Sequence, residues 1–259
     1  MLDRYPPLEP FEHYDHGKDA DATFPDLLPK GQAEVDDITP FIGSEVHGVQ
    51  LSKLSKAGKD QLALYVAQRR VVGRYLRHIE PHKLRLTTVS PIPAFRNQDF
   101  ASLPIQEAVD YAGYFGRHHI HQTSGAPKGF PEIHLVFRGA DDRTGAEFLE
   151  QRTNTITWHS DVTFEKQPPG TTFLYVLDGP STGGDTLFAD MVQAYKRLSP
   201  EFRKRLHGLK AVHSGVEQVN ASLNGGGIAR RDPITSEHPI VRTHPVTGEK
   251  ALYVNSQCK

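Results

Sequence analysis

From about residue 131 the chain is written in short apolar or alternating runs, EIHLVF, TFLYVLD, TLFAD, KAVHSGV, PIVRTH and ALYVN, divided by Gly and Pro. Runs of that length, bounded by turn residues, are too short for helices and suit strands whose alternate side chains face a core. The second half is therefore expected to be antiparallel β. One interruption is marked by Asp190 and then Ser199-Pro200-Glu201, two helix-start signals in succession, which predict a short helical pair over 191–207. Helices are expected earlier as well. Ser55 can cap a helix to about Arg69 with Leu62, Tyr65 and Val66 on its inner face. After Ser102, the spacing of Ile105, Ala108, Val109, Ala112 and Phe115 predicts a second helix that Gly116 is placed to end. Between arm and helix, ITPFIGSEVHGVQL reads as a strand pair. The expected fold class is mainly β with flanking helices.

The 259 residues, 37% hydrophobic, suffice for one sizeable core. Residues 1–38, rich in Pro, Asp, Gly and charge without an apolar period, read as an extended or disordered N-terminal arm, and 39–259 as the domain. Lys and Arg total 30 against 31 Asp and Glu, so no basic face is offered to nucleic acid or to an acidic membrane. Partners are expected to be small molecules or further copies of the chain. A single cysteine, Cys258, excludes a disulfide framework within the chain, and neither a secretory leader nor a bilayer-length apolar run is present, so the cytoplasm is the expected compartment. Residues 73–93, basic and punctuated by proline, fit no element. Loops of that length without their own structure are uncommon in a compact domain.

The sharpest chemical signal is Trp158-His159-Ser160-Asp161. On an extended strand residues i and i+2 share a face, so a histidine and a carboxylate at that spacing can close on one ion. A two-histidine, one-carboxylate set suits iron(II) and leaves positions open for a chelating cosubstrate and dioxygen. Spacing alone is weak evidence, because 14 histidines in a chain of this composition yield about one such pair by chance. His13-Tyr14-Asp15 is a second match, lies in the polar arm, and is assigned to solvent. For His159 and Asp161 an ordinary strand histidine bonded to a neighbouring carboxylate competes with the metal reading. Downstream, Gly183-Gly184-Asp185-Thr186 leads into another strand, where the glycines allow close backbone approach and Thr186 can donate a hydroxyl to a carboxylate. As a bare motif it is a tight hairpin. His119-Ile120-His121 sets two imidazoles on one strand face, as a metal site, a substrate wall or a polar edge.

Taken together, WHSDVTFEKQPPGTTFLYVLDGPSTGGDTLFADMVQAYKRLSPEFRKRLHGLKAVHS, the preceding FGRHHIHQTSG and the following HPIVRTHPVTGEKALYVN closely resemble the taurine dioxygenase (TauD/TfdA) family. The wording around HIHQTSGAP is most similar to its fungal sulfonate dioxygenase branch. The resemblance runs from about Ile38 to Asn255 and implies a double-stranded β-helix, or jelly-roll, core with helices outside. It implies iron(II) held by His159 and Asp161, with 2-oxoglutarate as cosubstrate held in part by Thr186, and dioxygen. His121 falls on a histidine that contacts the sulfonate of taurine in the bacterial enzyme. Ser124 and Thr155 fall on a tyrosine and an asparagine of that substrate site, which puts taurine itself in doubt. The reaction implied is oxidative decarboxylation of 2-oxoglutarate to succinate, coupled to hydroxylation of the carbon bearing a sulfonate, with loss of sulfite and an aldehyde.

The resemblance also implies two further groups: a third ligand, a histidine near the C-terminus of the family, and an arginine clamping the far carboxylate of 2-oxoglutarate. Neither motif occurs here. His213, His238 and His244 are rejected as substitutes, since His238 and His244 match the HPxVRTHP segment that precedes the family ligand and His213 matches a strand upstream of it. The expectation is thus a jelly roll incomplete at its C-terminus, with 73–93 and the closing SQCK reading as retained introns, and with bare strand edges favouring self-association. A catalytically incompetent remnant is the competing functional reading. A cupin-like metal isomerase or hydrolase is a third, because one fold hosts many chemistries.

Overall fold

A computed structural model describes residues 4–70, 95, 98–136, 158–177 and 187–255. The 73–93 segment, Thr155, Thr186 and residues 256–259 lie outside them. Near the N-terminus, β1 (Glu34–Asp37) pairs antiparallel with β2 (Ser44–His47), Val35 opposite Val46. The expected strand pair therefore begins earlier than ITPFIG, which forms the turn. β2 alternates, burying Ser44 and Val46. Ser55 then caps α1 (Lys56–Arg69), its side chain accepting the Gly58 N–H at 3.0 Å. Leu62 and Tyr65 of α1 enter a core with Leu27, Val46, Val49, Leu51, Phe95 and Tyr111, and Val66 packs at its margin.

Residues 4–38 are largely exposed, yet they do not simply lie on the surface. Leu27 is fully buried in this core. The α1 residue Gln61 holds it there, its Oε1 accepting the N–H groups of Asp26 and Leu27 at 2.9 and 2.8 Å. Phe24, Leu28 and Ala33 pack against the same core, so a few apolar residues with a satisfied backbone anchor a segment that has no apolar period.

The second helix, α2 (Ile105–Gly113), ends three residues before Gly116 and buries Val109 and Tyr111, whereas Ile105 in its first turn is exposed. Tyr111 is drawn inward by edge-on contacts to Phe100 and Phe173, with centroids 5.1 and 5.8 Å away. The helical pair predicted over 191–207 is α3 (Met191–Lys196) and α4 (Pro200–Leu206), capped by Asp190 and Ser199. A further helix, α5 (Val216–Asn224), follows Gly215, which supplies no side-chain cap to announce it.

KAVHSGV supplies β3 (Lys210–Ser214), antiparallel to β4 (Thr235–Pro239). β5 (Val241–Thr243) and β6 (Lys250–Leu252) form the last hairpin. The described residues thus hold three two-stranded sheets and no closed barrel. Strand ladders expected over EIHLVF, TFLYVLD and TLFAD are absent from their described parts, apart from a single bridge between Gly125 and Leu135. The adjoining residues 137–157 and 178–186 lie outside the described residues. No described helix is long and apolar enough to cross a membrane.

Candidate metal centre

Asp161 opens a turn over residues 161–164, and His159 lies two residues before it in irregular backbone. His159 Nε2 lies 3.2 Å from Asp161 Oδ1, and the side chains are 56% and 72% exposed. The distance is that of an ordinary imidazole–carboxylate contact, and it is also close to the separation of about 3.0 Å between two donors bound at about 2.1 Å to one ion at a right angle. An imidazole with a carboxylate is also a donor set that iron(II) accepts. Among the described residues no third His, Cys, Asp or Glu completes a cluster. Between the two donors, Ser160 is gripped by Asn255. The Ser160 N–H donates to Asn255 Oδ1 at 2.9 Å, and Asn255 Nδ2 donates to the Ser160 carbonyl and to Thr163 Oγ1, each at 3.0 Å. Immediately after Asp161 the chain turns sharply, with Val162 at φ 45°. For a β-branched residue this left-handed conformation is strained. Thr163, Phe164 and Glu165 beyond it are all buried.

Glu165 anchors the turn to the rest of the site. Arg231, with a side chain that is 0% exposed, donates to both its carboxylate oxygens, at 2.6 and 3.3 Å. His119 Nε2 lies 2.8 Å from Glu165 Oε1. An ionised carboxylate only accepts, so Nε2 carries the proton and the 3.3 Å approach of Arg231 to the same nitrogen is a packing contact. Arg231 also donates to the Ile120 carbonyl at 3.0 Å, and the Arg230 N–H to the Gln122 carbonyl at 2.7 Å. The 119–122 segment is in this way sewn both to the segment that follows Asp161 and to the 230–232 loop. Burial pushes the Glu165 carboxyl up, but the hydrogen bonds from His119 and Arg231 and the Arg231 charge outweigh it and hold the group below its ordinary value.

His121 Nδ1 accepts two backbone N–H groups, from Thr123 at 3.2 Å and Ser124 at 3.1 Å. The remaining nitrogen, Nε2, must then bear the proton of the neutral ring. His134 packs against this imidazole with centroids 4.4 Å apart. Burial, helped by His134 and His119, pulls His121 down to about 4, although the nearby Asp161 charge acts in the opposite sense. His134 is lowered by its own burial, with the Asp161 charge again acting in the opposite sense. Ser124 Oγ is buried and has no hydrogen-bond partner among the described residues.

These shifts set a pH dependence. A histidine whose folded value is depressed binds fewer protons folded than unfolded, so its stabilisation is complete above about 6.5 and is lost as pH falls toward about 4. His134, His213 and His244 are lowered by burial and add to the same loss, while Glu165, depressed below 4.5, adds a second loss beneath that value. Thermal melts should therefore fall steadily as pH drops from 6.5 to 4. His121→Asn should flatten part of that slope.

The histidines rejected from sequence as ligands have other surroundings. His213 is 1% exposed, stacked on Tyr253 at 5.3 Å and set against His238. His238 Nε2 lies 2.9 Å from the Glu165 carbonyl, and His244 Nδ1 accepts the Val246 N–H at 3.2 Å. Asp15 of the arm's His-x-Asp caps a 3-10 turn through the Gly17 N–H. Four residues of the site went unmarked in the sequence: His134, Glu165, Arg231 and Asn255. Each acts through a fold contact rather than a local spacing, so the sequence carried no local signal for them.

Comparison with known proteins bears on these groups. An alpha-ketoglutarate-dependent sulfonate dioxygenase of Saccharomyces cerevisiae is 43% identical over 98% of this chain and 57% of its own length. The alpha-ketoglutarate-dependent dioxygenase cnsP of Penicillium expansum is 39% identical over 97% of this chain and 64% of its own length. The chain thus spans about six tenths of these curated relatives. Among solved structures, a taurine dioxygenase from Burkholderia xenovorans superimposes with a TM-score of 0.54 at 26% identity, covering 88% of this chain and 64% of that one. The family model for taurine catabolism dioxygenases matches residues 92–259, most of the chain. On this match and these relatives, the chain belongs to the TauD, TfdA family of dioxygenases.

Proposed function

We propose that the chain acts in iron(II)- and 2-oxoglutarate-dependent oxygenation of a small sulfonate, with His159 and Asp161 as metal ligands. The observation that carries the reading is the exposed His159–Asp161 pair, 3.2 Å apart, beside a neutral His121 whose Nε2–H is the ring's one donor. When bound, iron(II) with 2-oxoglutarate and dioxygen would supply the oxidising chemistry. The protein's own residues orient the substrate. His121 Nε2–H would donate to a sulfonate oxygen, and the unpartnered Ser124 hydroxyl is available to the same group. Thr186 is assigned to 2-oxoglutarate and Thr155 to the substrate wall by the family resemblance, and both lie outside the described residues. We read the three sheets as parts of a jelly-roll core and the setting as cytoplasmic, with a small acid rather than nucleic acid or membrane as partner.

Sulfonate is favoured over other acids by the sulfonate dioxygenase of Saccharomyces cerevisiae, the relative with 43% identity. A second reading, a family member that does not turn over, draws on the lack of a third donor among the described residues. Anaerobic titration of the full chain with iron(II) and 2-oxoglutarate separates the two. A visible charge-transfer band, followed by succinate on admitting oxygen and sulfite when a sulfonate is present, is the expected result. No band and no succinate would leave the non-catalytic reading.

A further inference from the structure

Ser160 is the residue on which the geometry of the candidate pair turns, because it separates the two donors. Its backbone is held from outside the turn by one side chain, Asn255, 95 residues away in sequence. A carboxamide offers an acceptor oxygen and two N–H donors. Here Oδ1 receives the Ser160 N–H, and the two Nδ2 protons go to the Ser160 carbonyl and Thr163 Oγ1. The opposite flip would set N–H against N–H and carbonyl against carbonyl, so the hydrogen-bond pattern fixes the amide orientation. Asn255 stands just beyond β6, which pairs with β5, and the intervening Tyr253 N–H donates to the Ile240 carbonyl at 2.7 Å. The grip therefore comes from an anchored hairpin.

We propose that Asn255 is a positioning residue for the metal pair, acting like a one-residue strand partner that makes the His159 and Asp161 side chains leave the turn on the same side. This rests on the reading of those two residues as ligands. The need for such a clamp arises from Val162, whose left-handed backbone is strained and persists only where its surroundings over-determine it. Phe164 and Glu165 fix the turn on its buried side. Asn255 is what fixes it on the donor side. Side chains that orient ligands without touching the ion are worth about 10–100-fold in metal affinity.

The test is titration of the full chain with cobalt(II), read from paramagnetic shifts of the imidazole protons. Asn255→Ala should weaken cobalt(II) binding by about 10–100-fold. Val46→Ala, which opens the distant core, should lower the melting temperature and leave cobalt(II) affinity unchanged, so loss of stability alone does not mimic the effect. Should Asn255→Ala melt below the assay temperature, Thr163→Val takes its place, keeping side-chain shape while deleting one of the three contacts, with a loss of a few-fold expected. If the variant used binds cobalt(II) as tightly as the unaltered chain, the positioning role is wrong and the ligand pair stands. If His159→Ala binds as well as the unaltered chain, the ligand reading itself fails, and the role of Asn255 fails with it.

Discussion

Arg231→Met should destabilise the protein by about 3–5 kcal/mol, the cost of leaving a buried carboxylate without its cation. Both side chains are withdrawn from water, Arg231 at 0% and Glu165 at 1% exposure. With the guanidinium gone, Glu165 keeps His119 as its one side-chain partner among the described residues, and its titration moves upward as the Arg231 contribution is lost. The double variant Arg231→Met, Glu165→Leu should recover most of the loss, since an apolar pair of similar volume is often as stable as the ion pair it replaces. Urea unfolding of the two singles and the double closes the cycle. A double variant no more stable than Arg231→Met would show that the two residues do not act as a unit. The recovered protein should still be impaired in substrate handling, because Arg231 also holds the Ile120 carbonyl beside His121.

Asp161→Ala should have the reverse profile. Its side chain is 72% exposed and its one ion pair among the described residues is with an exposed His159, so the change should move unfolding free energy by no more than about 0.5 kcal/mol. Metal binding should be lost by more than the roughly 10–100-fold that a supporting residue is worth, because the change deletes the carboxylate of the pair. The iron(II) and 2-oxoglutarate band and succinate formation should fall to background together. An Asp161→Ala chain that retained both would place the metal elsewhere.

The helices were readable because their signals are local. Ser55, Asp190 and Ser199 announce α1, α3 and α4 by side chains that reach backbone N–H groups two or three residues on. α5 was not, since Gly215 leaves no such mark. His159 and Asp161 were picked out by period-two spacing, although in the structure they lie at the entry to a turn and not on a strand. Their neighbourhood was beyond local reading. Glu165 in EKQPPG looks like any solvent-facing carboxylate until Arg231, 66 residues on, is folded against it. His134 in EIHLVF reads as a strand residue, and its contact with His121 depends on the path of the chain through 125–135. Asn255 likewise gains meaning only when the last hairpin is folded beside Ser160.

The left-handed residue after Asp161 has one more consequence. An unbroken strand would put residues 161, 163 and 165 on a single face, tying the chemistry of the donor to the packing of the residues after it. By reversing the chain at Val162, the segment becomes a bolt with an exposed head at His159 and Asp161 and a buried thread at Thr163, Phe164 and Glu165. The exposed head can then change without unseating the thread, although the thread still holds the head through Thr163 and Asn255. The donors can be exchanged, and the ion or the reaction with them, while the thread keeps the same seat in the fold.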